Sequence, residues 1–199
     1  MSLPSREPFT GPDGIPYLRF DVPRPGAFEA QSLGYLAARL VERGVGAALF
    51  RSPDAATDAP GHVWSMGTLN AMLRFENPDG DPADRVSPPT GGWTETAGQR
   101  GLIGAPSAEF LPPSSARPLL RHLAQQWGMA EPGVTVLLEP AMSPTRTLIV
   151  GRKRSDFPAD APVDDLVQRL MWFLPPGRAA ALLPEGWATD GLVPLSHYC

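Results

Sequence analysis

Three residues near the middle of the chain have types that could act together: Ser107, Glu109 and His122. A serine activated by a histidine that a carboxylate orients is the apparatus of acyl transfer. That chemistry wants the serine on a sharp strand-to-helix elbow, in the pattern G-x-S-x-G. The chain has G-A-P-S-A-E at 104–109, with a proline in the wrong place for that elbow. No catalytic residue is therefore assigned. Ser107, Glu109 and His122 stand as an alternative ligand site, for an enzyme of unlisted kind or a small-ligand sensor.

The other reactive types are scattered. His62, His122 and His197 form no H-x-x-x-H pair, so a zinc site is not expected. Cys199 is the only cysteine, which excludes an internal disulfide and a cysteine-based zinc site. Its terminal position also lacks the fixed electropositive niche of a nucleophilic thiolate. Asp79, Asp81 and Asp84 have a faint calcium-loop spacing but lack the later bidentate glutamate. Glu109, Glu139 and Asp156 are candidate paired carboxylates, although nothing in their spacing brings them together. Both standard phosphate cradles, G-x-G-x-x-G and G-x-x-x-x-G-K-[ST], are missing. Neither metal nor cofactor is expected.

The stretch that must position Ser107, Glu109 and His122 is 101–128, GLIGAPSAEFLPPSSARPLLRHLAQQWG. Its glycines and prolines predict a shaped, non-helical path as far as Pro113. Ser114 or Ser115 is then expected to cap a helix, with Pro118 in its first turn. Leu119, Leu120, Leu123 and Trp127 make the apolar stripe, and Gly128 is the expected stop.

The rest of the chain reads as short elements between turns. Residues 1–14 are polar and turn-rich. Ile15–Val22 predicts an edge strand, and Phe28–Arg43 a helix with Leu33, Leu36, Ala37 and Leu40 on one face. Val45–Arg51 and His62–Met66 predict a hairpin, followed by a short helix over Leu69–Phe75. Residues 76–100 carry no apolar periodicity. Trp93 lies there, either pinning the loop to the body or serving as a contact aromatic. Thr135–Glu139 and Thr147–Val150 predict a second hairpin, then a helix from Val163 to about Leu174. Ala179–Leu183 reads as a last helical turn or a short strand, and the tail to Cys199 as draped on the surface.

The fold class expected is α+β: a mainly antiparallel sheet flanked by helices, with short hairpin turns arguing against parallel βαβ units. The chain is read as a single domain, 1–199. Helix, strand, turn, strand, helix recurs, so two similar halves, 15–76 and 101–185, joined by the loop 77–100, suggest a tandem α-β-β-α duplication.

Composition narrows the function classes. Apolar residues make up 42% and there are five tryptophans, which predicts a packed fold. A net charge of −4 argues against nucleic acid and anionic membrane surfaces as partners. The one basic cluster, Arg152, Lys153 and Arg154, reads as a solvated strand end. Lys153 is the only lysine among 17 basic residues, a bias that points to a GC-rich bacterial genome. No membrane span and no signal peptide are read, so a cytoplasmic location is expected. The apolar run 169–174 suits a core or a homodimer interface equally.

HVWSMGTLNAML (62–73), IGAPSAEFLPPSSARPLLRHL (103–123) and RLMWFLPPG (169–177) together resemble an uncharacterised bacterial protein family. The resemblance implies no activity. The layout and acidity are also similar to those of small acidic secretion-chaperone or adaptor proteins, with no motif in common. The expectation is a non-catalytic protein-binding or adaptor module. Its contact residues are read as Trp93, Phe110, Leu111 and Arg117, and the partner as another protein. Proline-fixed loops would lower the ordering cost of such binding.

Overall fold

Alternation along the strands and apolar stripes on the helices place almost every element against one shared core. The structure is a computed structural model that describes residues 7–22, 33–51, 59–81, 102–139 and 146–199. In the first half these are β1 (Phe9–Thr10), β2 (Pro16–Asp21), α1 (Leu33–Arg43), β3 (Gly46–Phe50), β4 (His62–Trp64) and α2 (Met66–Phe75). The second half has β5 (Leu102–Gly104), α3 (Pro113–Trp127), β6 (Gly133–Leu138), β7 (Arg146–Val150), α4 (Val163–Leu170), β8 (Ala179–Leu182) and β9 (Val193–Pro194). Asp84, Trp93 and most of the 76–100 loop lie outside the described residues.

The strands form two mixed, mostly antiparallel sheets, so the α+β class holds. The first has the order β1-β2-β3-β4 and the second β5-β6-β7-β8, with β9 also paired to β6. Both expected hairpins, β3–β4 and β6–β7, are antiparallel. The argument against βαβ units fails at two places. β2 runs parallel to β3 across α1, and β7 parallel to β8 across α4. A helix of this length supplies the crossover that parallel strands require. The two halves share the order helix, strand, strand, helix, but not the pairing. β5 lies antiparallel to β6, where β2 is parallel to β3. A duplication is not confirmed.

The core is continuous across the halves. Leu36 and Leu40 of α1, Met66 and Leu69 of α2, and Leu119, Leu123 and Trp127 of α3 are buried in one cluster. Leu170, Phe173 and Leu174 complete it. The apolar run 169–174 is therefore used largely in the core. Leu18 and Ala47 of the first sheet and Val134, Leu148 and Val150 of the second face the same cluster. The opposite face of the first sheet carries a smaller cluster of Ile15, Tyr17, Ala48 and Phe50, against which Trp172 packs from the main core. Trp172 Nε1–H donates to the Tyr17 hydroxyl at 3.0 Å, and that hydroxyl donates to Asp13 at 2.5 Å.

Several local expectations change. Residues 9–10 are a strand, because Phe9 pairs beside Tyr17 and packs on Phe50. α2 starts earlier than its apolar residues suggest, at Met66. Ser65 caps it by accepting the Thr68 N–H at 3.0 Å. Ser114 and Ser115 are not caps. Pro112 holds the cap position with no side-chain bond, Pro113 opens the helix and Pro118 lies inside it. Gly128 does close α3 in the left-handed conformation. The tail is anchored rather than draped: β9 joins β6, and Leu195 is fully buried.

Candidate functional site

The segments 62–73, 103–123 and 169–177 meet at one junction between the halves. Gly67 of α2 lies against the backbone of Leu174, where a Cβ would stand only 1.9 Å from the carbonyl oxygen. Gly80, at φ +103°, makes an equally close approach to the Pro176 carbonyl. These glycines let the Leu174–Arg178 segment press onto the end of the first half. Asn70, on the buried side of α2, donates from Nδ2 to the hydroxyls of Ser114 and Ser115 at 3.0 and 2.9 Å. Ser115 is fully buried, so these bonds offset its desolvation.

Arg178 closes the junction. It is 4% exposed and donates to the Phe110 carbonyl at 2.6 Å. Its guanidinium lies 3.6 Å from the Asp81 carboxylate, which Arg146 also approaches at 3.6 Å. The Phe110 ring is 4.9 Å below the same guanidinium. Arg74 donates to the Glu109 carbonyl at 2.9 Å. A planar, permanently charged fork suits these carbonyl, carboxylate and aromatic partners, and a lysine would not. The arginines hold the Ser107–Leu111 turn in place.

That turn carries four of the candidate residues, Ser107, Glu109, Phe110 and Leu111. Phe110 is 2% exposed and Leu111 fully buried, so neither offers its side chain to a partner. Both belong to the main core cluster, and the Phe110 carbonyl is itself buried against Arg178. Ser107 Oγ accepts the Phe110 N–H at 3.0 Å, which makes it a turn-stabilising hydroxyl. Glu109 is exposed, and its carbonyl serves Arg74. His122 sits farther along α3 with its ring 5.0 Å from Phe173. Its Nε2 is buried without a hydrogen-bond partner. Burial, and then the Arg169 charge, lower its pKa below the ordinary histidine value. Ser107 Oγ thus bonds within its own turn, while the His122 ring packs on Phe173. Arg117 is exposed on α3, and Trp93 falls outside the described residues.

The remaining reactive types stay apart. Among the described residues no group of three or more His, Cys, Asp or Glu side chains is placed to hold a metal ion. Cys199 is exposed, and burial of its sulfur is the main cause raising its pKa. Arg152 lies over the Phe157 ring at 4.3 Å and donates to the Trp127 carbonyl, so it ties loops together and is not a free basic patch. Asp156 accepts the Lys153 N–H at 2.8 Å. Among the described residues no helix is long and apolar enough to cross a membrane.

One surface was missed. Strand register puts Ile103, Leu137, Thr147 and Ala179 in one row on the outer face of the second sheet, with Thr135, Ile149 and Ala181 in the next. None of these is charged, whereas a solvated sheet face ordinarily alternates to polar residues. Part of the face is covered by a strap, 183–192. Leu192 packs where Gly151 leaves room, since a Cβ there would stand 2.4 Å from Leu192 Cδ1. The Glu185 carboxylate fastens the strap by accepting from the Ser155 N–H and hydroxyl, both at 2.9 Å. Beside the strap remains a groove of about 410 Å³ lined by Ile103, Thr135, Trp187, Ala188 and Leu192. Ile103 is 56% exposed on the short edge strand β5. The signal in the sequence was that GVTVLL and TLIV carry no charged residue at alternate positions, unlike a strand with one solvated face.

Compared with known proteins, the chain has no match: no family model, no curated protein and no solved structure is similar to it.

Proposed function

We propose that the chain is a non-catalytic protein-binding module, adaptor-like or chaperone-like and cytoplasmic, that docks its partner on the outer face of the second sheet. One observation supports this reading: the uncharged outer face ends at an open groove with Ile103 56% exposed at its rim. Exposed apolar surface next to an edge strand invites association unless a partner uses it. The groove suits one apolar side chain of the partner. The outer edge of β5 offers main-chain groups to an extended segment. Phe110 and Leu111 drop out of the contact set, and Ile103, Trp187 and Leu192 replace them.

The test compares three immobilised proteins: the wild type, Ile103→Asp, and Tyr35→Asp as a control at another exposed apolar position, 60% exposed on α1. Capture from a lysate of the source cell is followed by mass spectrometry and by affinity measurement with the purified partner. The wild type and Tyr35→Asp are expected to retain one protein at near-stoichiometric yield. Ile103→Asp is expected to bind it at least about tenfold more weakly, a loss of roughly 1.4 kcal/mol, with its melting temperature close to the control. Equal retention by Ile103→Asp, or no specific retention by the wild type, overturns the reading.

A further inference from the structure

We draw no further inference here: the strongest candidate, the apolar groove on the outer face of the second sheet between Ile103 and the 183–192 strap, belongs to the surface already proposed, and nothing in the structure shows what covers it.

Discussion

Two helical glycines, Gly34 and Gly67, should respond to alanine with opposite signs. Gly34 is the second residue of α1 and Gly67 the second residue of α2. Helix propensity therefore favours alanine at both, by about 0.4–1 kcal/mol. Among the described residues, a Cβ on Gly34 meets nothing within 4 Å. On Gly67 it would stand 1.9 Å from the Leu174 oxygen and 2.5 Å from its carbonyl carbon, where ordinary contact begins at 3.4 Å. The obstacle is backbone, so no side-chain rotation relieves it. α2 and the Leu174–Arg178 segment would have to separate by about 1.5 Å, straining the Asn70 and Arg178 bonds as well. Overpacking of a filled core costs about 1–3 kcal/mol, more than the propensity gain. Gly67→Ala is therefore expected to be net destabilised by up to about 2–3 kcal/mol, and Gly34→Ala slightly stabilised. Urea unfolding followed by tryptophan fluorescence and by far-ultraviolet circular dichroism measures both. At this chain length each kcal/mol moves Tm by about 2–4 °C. A Gly67→Ala protein as stable as Gly34→Ala would show that the two halves are not in backbone contact there, and the junction would have to be abandoned.

Asn70→Ala should cost about 1–3 kcal/mol, because it leaves the buried Ser115 hydroxyl without its donor. Adding Ser115→Ala should cost less than its effect on the wild type, and a strictly additive double-mutant cycle would deny the coupling. Arg178→Lys should lose about 1.5–3 kcal/mol despite keeping the charge, since an ammonium cannot serve the Phe110 carbonyl and the Asp81 carboxylate as a fork does; unchanged urea midpoints would contradict it. His122 has a folded-state pKa below its unfolded value, so the unfolded chain binds the extra proton more readily. Stability should be intact at neutral pH and decline as pH falls below about 6.5 towards the folded value. His122→Gln should flatten that part of the profile, and identical profiles from pH 7 to 5 would remove His122 as its cause.

Local chemistry made part of the fold legible. The stripe Leu119, Leu120, Leu123 and Trp127 and the stop at Gly128 follow from the 3.6-residue period and from glycine's freedom at positive φ; the stop and three of the four stripe residues appear as read, and Leu120 is only partly buried. The two hairpins follow from apolar runs flanking turn formers. Helix starts were less legible, because capping depends on which backbone donors remain free. Ser65 caps α2, while Ser114 and Ser115 look outward from α3 to a residue about 45 positions away in sequence, Asn70.

The candidate site was legible only where the outcome depended on neighbours in sequence. Phe110 in a proline-rich turn has the composition of a contact residue. It is buried in the main core, and Arg178, 68 positions later, holds its carbonyl and lies over its ring. Ile103 sits in an ordinary apolar triplet, and its exposure is decided by register against Leu137 and by how far the strap reaches. Residue order alone specifies an acidic, tryptophan-bearing α+β chain with helices of defined stripe and stop, because those properties depend on residues a few positions apart. Tertiary packing makes β2–β3 and β7–β8 parallel, brings a second backbone against Gly67 and Gly80, and selects which apolar residues remain in water. Those outcomes rest on close packing between segments distant in the chain, and periodicity carries no information about which segments meet.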